Sequence, residues 1–243
     1  MAIIITGKNT VLEAIKSGRQ VFELYVLEGS NKDVIYEAKN KNIKILELDK
    51  NKLNNMLQSK NQGIAAKVAD YEYVELDTVL EKQKENKVFI MLDGLEDPHN
   101  LGAILRSADA FSVDAIIVPK NRSVKLNATV AKVSTGAIEY VDVVEVTNLN
   151  QTIKRLKKNN FWIVGTDAVT DKTVKDIDVD TNICVVIGSE GKGMSRMVKE
   201  NCDYTVKIPM TGHVNSLNAS VSAGVIIYEI YSRKGWDFEL IQT

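Results

Sequence analysis

Cysteine and histidine are scarce in this chain. Its 243 residues include only 2 cysteines and 2 histidines. Two cysteines cannot form a disulfide framework, and neither stands at the spacing of a metal-binding motif. Cys184 lies inside a run of β-branched residues, which is typical of a small core side chain. These shortages exclude a disulfide-rich secreted domain, and we expect no bound metal.

Long apolar runs and a strong excess of charge are also missing. No run approaches the ~20 apolar residues of a membrane helix. The amino terminus lacks the basic segment and the cleavage site of a secretory signal. A formal net charge of −1 does not by itself favour nucleic acid, although affinity for phosphates depends on local clusters. We therefore expect a cytoplasmic globular protein without a membrane partner.

The larger, carboxyl-terminal part of the sequence alternates short apolar runs with helical patterns. Strands are predicted at 88–92, 115–118, 161–164, 183–187 and 205–208, and helices at about 101–111, 127–134, 150–159, 194–200 and 216–232. Short apolar strands that alternate with helices predict an α/β fold with a mostly parallel sheet. In such a sheet, ligands bind beyond the carboxyl ends of the strands.

A separate small α/β unit is predicted to precede this sheet. Its strands are expected at 22–27, 43–48 and 64–68, and its helices at 11–15 and near 34–38. Asn9 or Thr10 would cap the first helix, and Gly18 would end it. The charged segment after this unit is predicted to be a linker, with Leu76 and Val79 allowing part of it to be helical. The predicted division is 1–72, 73–86 and 87–243.

Three polar islands stand where an apolar run stops and a helical pattern begins. They are Asp97–Arg106 (DPHNLGAILR), Gly188–Met194 (GSEGKGM) and Ile208–Asn218 (IPMTGHVNSLN). Junctions of this kind are where α/β proteins build their sites. We therefore expect the three loops to meet in one active site.

The first island also has a purely structural interpretation. Pro98 favours a turn, and Asn100 then fits the N-cap of a helix. The buried stripe of that helix would be Leu101, Ile104, Leu105, Ala108 and Phe111. Arg106 and Asp109 are three residues apart, which fits a surface ion pair of little energetic value. Asn100 and Arg106 are therefore either site residues or a cap and a surface charge.

The second island is rich in glycine but is not a known phosphate loop. Lys192 is followed by glycine and not by Ser or Thr, so the P-loop pattern is broken. The first strand of the domain also has no G-x-G-x-x-G, which disfavours an ordinary dinucleotide fold. Glu190 would repel a phosphate but suits a ribose hydroxyl or a cation. Its alternative role is to stabilise the start of a helix.

The third island leads into the last predicted helix. Ser216 fits the N-cap of that helix. Asn218 would then lie inside the first turn, where its propensity is poor, so another reason for it is needed. His99 and His213 both lie in the islands, but without matching acidic ligands they are better explained as loop donors than as zinc ligands.

In order and spacing, the three islands resemble the three motifs of the SpoU (TrmH-type) RNA ribose 2′-O-methyltransferases. The resemblance is strongest to the branch that methylates guanosine in ribosomal RNA, and it covers about residues 87–237. The segments Thr6–Ile15 and Asn61–Ala65 also resemble the ribosomal-protein-like substrate-binding domain that many members carry. Three motifs together are far more specific than any one of them.

The resemblance implies a SPOUT-type catalytic domain with a deep trefoil knot near its carboxyl terminus, preceded by an RNA substrate-binding domain. It also implies S-adenosylmethionine as the cofactor. Gly188, Ile208 and Leu217 match cofactor positions by motif. The further cofactor-binding candidates are Gly165, Thr166, Gly191 and Met210.

The implied reaction is displacement at the sulfonium methyl by a ribose 2′-oxygen. Arg106 matches the family's catalytic arginine. Because arginine stays protonated in proteins, we expect it to hold the target phosphate and hydroxyl and not to act as the base. The residues implied to orient ribose, arginine and cofactor are Asn100, Glu190, Ser216 and Asn218.

The resemblance further implies a homodimer with composite active sites and an RNA partner, not DNA. Ribosomal RNA is favoured over transfer RNA by the attached amino-terminal domain. An antibiotic-resistance ribosomal RNA methylase and a catalytically silent RNA-binding or assembly protein on the same fold are the alternatives. Lys8, Lys16, Arg19 and Lys60 are candidate phosphate contacts, or simply solvated surface charges.

Overall fold

A computed structural model describes residues 2–57, 61–213 and 216–234. The chain divides into two compact units. The first contains the residues up to Glu72 together with Leu101–Arg106 and Lys125–Tyr140. The second contains the intervening segments and the described residues from Val141 onward.

The first unit is organised around a four-stranded sheet. Its elements up to Glu72 are β1 (Ala2–Thr6), α1 (Lys8–Lys16), β2 (Val21–Leu27), α2 (Lys32–Asn40), β3 (Lys44–Leu48), α3 (Lys50–Leu57) and β4 (Ile64–Ala69). The strand order is β1-β4-β2-β3; β4 is antiparallel to both of its neighbours, and β2 and β3 are parallel. The three predicted strands and both predicted helices are confirmed.

Two details of the first unit differ from the prediction. Gly7 (φ 100) precedes α1 as its N-cap residue, so neither Asn9 nor Thr10 caps the helix. Thr10 is buried instead, and its hydroxyl donates to the carbonyl of Ala131 at 3.4 Å. The elements β1 and α3 were not predicted; α3 buries a single residue, Leu53.

The rest of the chain alternates strands and helices. Its elements are α4 (Leu76–Glu81), β5 (Val88–Asp93), α5 (Pro98–Ala110), β6 (Ala115–Pro119), α6 (Ala128–Val133), β7 (Val143–Val146), α7 (Leu149–Lys158), β8 (Phe161–Thr166), β9 (Asn182–Gly188), α8 (Arg196–Asn201), β10 (Tyr204–Val206) and α9 (Ala219–Arg233). The described residues thus form ten strands and nine α-helices.

The second unit contains a six-stranded sheet in which every neighbouring pair is parallel. Its order is β10-β8-β9-β5-β6-β7. The predicted parallel sheet is confirmed, with β7 as an additional edge strand. Among the described residues, no helix is both long enough and apolar enough to cross a membrane.

The core of the second unit lies around β5 and β9, the two central strands. Phe89 and Cys184 pair across them and are fully buried, as expected for the apolar run that contains Cys184. Burial raises the pKa of the Cys184 thiol, so it stays neutral. Leu76 and Val79 of α4 join the same core. The strands β5 and β9 end side by side at Asp93 and Gly188, which brings the first and second islands to one edge of the sheet.

Candidate active site

Helix α5 begins at the first island, but its cap is not the predicted one. A side-chain oxygen of Asp97 accepts a hydrogen bond from the His99 N–H at 2.8 Å, and Pro98 takes the first helical position. Proline fits there because its missing N–H has no helical partner to lose. The prediction that Asn100 is the cap is therefore wrong: Asn100 lies within the first turn and is 8% exposed.

Helix α9 begins at the third island, and here too the cap differs from the prediction. Asn218 Oδ1 accepts hydrogen bonds from Ser220 N–H at 2.9 Å and Val221 N–H at 3.3 Å. Asn218 is the N-cap residue, and Ser216 lies outside the helix and is exposed. We predicted Asn218 inside the first helical turn, where an asparagine would need a special reason. At the N-cap its presence needs none, because asparagine is favoured there. Its amide nitrogen remains available to bond elsewhere.

The three islands meet in a small hydrogen-bonded cluster of Asn100, Glu190 and Asn218. Asn100 Nδ2 donates to Glu190 Oε1 at 2.9 Å, and Asn218 Nδ2 donates to Asn100 Oδ1 at 2.9 Å. Asn218 Nδ2 also donates to Glu190 Oε1, which accepts a further bond from Ala219 N–H at 3.3 Å. Glu190 Oε2 accepts no hydrogen bond from a described residue. One carboxylate oxygen is therefore immobilised while the other stays open.

The glycine-rich loop of the second island folds back on itself. Ser189 and Gly193 exchange backbone hydrogen bonds of 3.1 and 2.9 Å. A Cβ atom at Gly188 would overlap the backbone of Gly193, so only glycine allows this closure. Asp93, at the end of β5, accepts the Ser195 N–H at 2.6 Å and ties down the far end of the loop.

A cavity of about 750 Å³ lies beside the cluster, within the second unit. It is lined by most of the predicted site residues, namely Thr166, Gly188, Glu190, Gly191, Ile208, Met210, Ser216, Leu217 and Asn218. Gly165 is not among the lining residues. A Cβ atom there would stand 2.7 Å from Met194 Cε and 2.9 Å from Cys202 Sγ, so this glycine makes room for core packing.

The cavity wall combines apolar and charged groups. Its apolar side chains include Ile187, Val206, Ile208, Leu217 and Ile226. Its charged side chains are Asp167, Glu190, Lys192, Lys199 and Lys207. Sequence reasoning missed Asp167 and Lys199, although Asp167 directly follows a predicted strand end. The wall suits a ligand with one flat apolar part and one charged part.

Arg106 lies on the same helix as Asn100 but on another side of it. It follows Asn100 by six residues on α5, which is roughly 240° around a helix of 3.6 residues per turn. Its side chain is exposed and makes no ion pair with Asp109 or with any other described residue. The predicted surface pair is therefore absent, and Arg106 presents a free guanidinium on a different side of α5 from Asn100.

The other candidate residues have local roles. His99 and His213 are exposed, and the described residues contain no group of three or more His, Cys, Asp or Glu side chains able to hold a metal. Lys8 pairs with Asp33 at 2.7 Å and Lys16 with Glu13 at 3.6 Å. Lys60 lies outside the described residues.

Arg19 is held in a partly buried polar cluster of the first unit. Its Nε donates to Glu139 Oε2 at 2.7 Å, and its guanidinium lies 4.0 Å from the centre of the Tyr71 ring. The Tyr71 hydroxyl donates to Glu139 Oε1 at 3.2 Å. The Glu139 side chain is only 2% exposed. Arg19 is therefore engaged within the fold and is not a free phosphate contact.

Fold and site together define an α/β protein with a small-molecule site at the carboxyl edge of a parallel sheet. Residues 87–228 match the SpoU rRNA Methylase family, and residues 4–74 match the domain for RNA 2′-O ribose methyltransferase substrate binding. The chain belongs to the SpoU methylase family and is an RNA methyltransferase of the SpoU/TrmH type.

Relatives and solved structures agree over nearly the whole chain. A Staphylococcus epidermidis protein that carries the name TrmH family tRNA/rRNA methyltransferase is 49% identical over 239 residues, 96% of each chain. The SpoU methyltransferase AviRb of Streptomyces viridochromogenes, solved with AdoMet, has a TM-score of 0.83 at 25% identity and covers 96% of this chain and 90% of its own. An AdoMet-bound rRNA methyltransferase from Sinorhizobium meliloti, 18% identical with a TM-score of 0.81, covers 97% and 88% and shares the fold.

Proposed function

We propose that this protein methylates a ribose 2′-hydroxyl in structured RNA, and that 23S ribosomal RNA is its substrate. The observation that carries the proposal is the Asn100–Glu190–Asn218 cluster at the wall of a cofactor-sized cavity. S-adenosylmethionine is the cofactor, and when bound it supplies a methyl group on a positively charged sulfur.

The cavity fits this cofactor in size and in chemistry. A volume of about 750 Å³ lies within the range of small-molecule sites. Gly191 and Gly193 have open space where a side chain would stand, so a ligand can approach their backbone closely. Ile208 and Leu217 supply apolar side chains for the adenine ring. The residues proposed to hold the cofactor are Gly188, Gly191, Ile208, Met210, Leu217 and Thr166.

The remaining task of the protein is to position a weak nucleophile. Bonds from Asn100, Asn218 and Ala219 fix Glu190 Oε1, so the carboxylate keeps one orientation. Its open Oε2 can then accept the hydrogen of the ribose hydroxyl and direct the lone pair of the oxygen toward the methyl group. Alignment of this kind is worth effective molarities of ~10⁵–10⁸ M. Ser216, exposed on the same wall, would contact the ribose or its phosphate.

We propose that Arg106 acts in the active site of a second copy of the chain. It points away from Asn100 on α5 and has no partner among the described residues, so its guanidinium is free to bind the target phosphate. Helix α9 also exposes Val221, Val225 and Tyr228, which are spaced four and three residues apart and form one stripe. An apolar stripe of this kind is typical of a subunit interface. The proposed assembly is a homodimer with composite active sites.

Three further features belong to the same proposal. The chain after β10 would pass through a loop to form a deep trefoil knot, an exception to ordinary topology. Residues 1–72 would form the RNA-binding domain, joined through 73–86 to the catalytic domain at 87–243. The protein would act in the cytoplasm, where ribosomal RNA is made and folded.

Mapping of ribose methylation tests the substrate directly. Ribosomal and transfer RNA from cells with and without the gene would be compared for 2′-O-methyl sites, and the lost site restored with purified protein and labelled cofactor. We expect one site in 23S RNA. Loss of a transfer RNA site, or a methyl group found on a base, would overturn the substrate assignment. RNA binding without methyl transfer would instead support the silent assembly protein.

Mixed dimers test the composite site. We expect Arg106→Ala to abolish methyl transfer while leaving the fold and cofactor binding intact, and Glu190→Ala to be nearly inactive as well. When the two variants are refolded together at equal amounts, half of the dimers contain both, and each of these has one complete site. Activity should then recover to about a quarter of the wild-type value. No recovery would place Arg106 and Glu190 in the same subunit's site.

A further inference from the structure

Asp167 stands at the carboxyl end of β8, beside the end of β9, and its backbone and side chain are both held in place. Its N–H donates to the carbonyl of Val206 at 3.0 Å. Its Oδ1 accepts the Val169 N–H at 2.8 Å, and its Oδ2 pairs with Lys199 Nζ on α8. The Asp167 side chain is 16% exposed and the Lys199 side chain 48%. Asp167 is thus a rigid carboxylate at a strand end, where parallel sheets bind ligands.

The Asp167–Lys199 pair faces the cofactor cavity. Both residues line it, and no other ion pair of the described residues has both members on that wall. Glu190, the other acidic residue there, has one carboxylate oxygen bonded to Asn100 and Asn218, and its second oxygen is the one proposed to receive the ribose hydroxyl. Asp167 and Lys199 thus place a negative and a positive charge side by side on this wall, whereas Lys192 and Lys207 add positive charges that pair with no acidic residue of the described wall.

Asp167 remains ionised at neutral pH in spite of its burial. Burial raises the pKa of its carboxyl, but the hydrogen bonds from Lys199 and from the Val169 N–H outweigh this effect and hold the pKa below its ordinary value. Ion pairs at protein surfaces contribute little to stability. The pair is therefore better suited to recognising a ligand than to holding the fold.

We propose that Asp167 and Lys199 bind the amino-acid end of the cofactor. The Asp167 carboxylate would accept the α-ammonium group, and the Lys199 ammonium would donate to the α-carboxylate. A zwitterion is the part of S-adenosylmethionine that carries both signs of charge, and it matches a wall with both signs. A ribose diol would require only the acceptor and would leave Lys199 without a ligand. The inference rests on the cofactor assignment made in the proposed function.

Two ligands that differ only in the amino-acid tail show whether Asp167 and Lys199 bind that tail or affect binding of the adenosine part as well. S-adenosylhomocysteine carries the amino-acid tail, whereas 5′-methylthioadenosine has the same adenosine and thioether without it. Their Kd values would be measured by calorimetry for the wild-type protein, Asp167→Asn and Lys199→Met. We expect each variant to weaken S-adenosylhomocysteine roughly tenfold or more, the usual effect of losing a charge-assisted hydrogen bond. Binding of 5′-methylthioadenosine should change less than about twofold.

Lys157→Met provides a matched control. Lys157 pairs with Asp203 at 2.7 Å, and Asp203 also accepts a backbone N–H, from Ile163, so the pair has the same construction away from the cavity. This variant should leave both Kd values unchanged. Equal weakening of both ligands by Asp167→Asn, or no weakening of either, would overturn the proposal. A wild-type protein that binds neither ligand would overturn the cofactor assignment together with it.

Discussion

At the residue scale, Asn218 shows how one side chain can serve both structure and chemistry. Its Oδ1 caps α9, and its Nδ2 donates to Asn100 and Glu190. An amide side chain offers an acceptor and a donor on two separate atoms, so it can do both at once. Capping and the proposed role in the active site are therefore not alternatives for Asn218, because opposite ends of the same amide would carry them.

Substitution at this position should separate the two roles. Asn218→Ser keeps a capping oxygen but removes the amide donor, whereas Asn218→Ala removes both. We expect Asn218→Ala to lose about 1 kcal/mol of stability and Asn218→Ser much less. Both should lose at least about tenfold in turnover, since Glu190 is no longer held as firmly. Thermal unfolding and labelled-methyl transfer would be compared; full turnover in Asn218→Ser would reduce the residue to a cap.

Tyr71 should make stability depend on alkaline pH. Burial, and then the charge of Glu139, raise the pKa of its phenol above the unfolded value of about 10. A raised folded pKa means that the stabilisation is complete below pH ~10 and is lost as the pH rises above it. The free energy of unfolding should fall less steeply above pH ~10 in Tyr71→Phe than in the wild type. Urea titrations at several pH values measure this, and parallel curves for the two proteins would contradict it.

At the element scale, the loop Gly188–Met194 depends on two kinds of support. Its closure requires a residue without a side chain at Gly188. The Asp93 carboxylate holds its far end by accepting a hydrogen bond from the Ser195 N–H. Glu190 is carried at the tip of this loop. The loop backbone therefore sets where Glu190 stands, and the hydrogen bonds to its side chain set the orientation of its carboxylate.

Glycine substitutions should reveal this dependence. Gly188→Ala forces the loop open, because its Cβ would overlap the Gly193 backbone, and should abolish both cofactor binding and methyl transfer. Gly212→Ala, in the neighbouring island, meets nothing within 4 Å and serves as the control with unchanged binding. Calorimetry with S-adenosylhomocysteine distinguishes the two. Wild-type affinity in Gly188→Ala would show that the closed loop is not required.

At the scale of the whole molecule, the boundaries of the compact units differ from the boundaries of the two family matches. Residues 125–140 lie within the stretch that matches the methylase family, yet they pack with residues 2–72 in one unit. Glu139, in a short 3₁₀ turn of that segment, receives Arg19 and Tyr71. A buried carboxylate and its arginine thus join the substrate-binding domain to a piece of the catalytic sequence.

Breaking this pair should destabilise the protein measurably. Arg19→Met leaves the Glu139 carboxylate buried without its cation, which costs roughly 3 kcal/mol or more. Adding Glu139→Gln removes the unpaired buried charge. The double variant should therefore lose less unfolding free energy than the two single variants lose together. Denaturant unfolding of the four proteins in the cycle gives the coupling energy. Strict additivity would mean that the two side chains do not interact.

Much of this architecture could be predicted because it is encoded locally. Runs of apolar residues such as 183–187 predicted the parallel strands, and the polar islands at their ends predicted where the cavity lies. Unpredicted elements have weak local signals: α3 buries one residue, and β7 is four residues long. The wrong caps have the same origin, because several polar residues close to a helix start compete for one position and the sequence does not rank them.

The sequence by itself determined the fold class, the family and most of the residues predicted for the cavity wall, but it missed Asp167 and Lys199 and wrongly included Gly165. Only the tertiary structure decided their partners. Asn100 bonds to Glu190 across 90 positions and to Asn218 across 118, while Arg19 is matched with Glu139 across 120. Periodicity and turn chemistry act over a few residues, whereas these partners are chosen by the path of the whole chain.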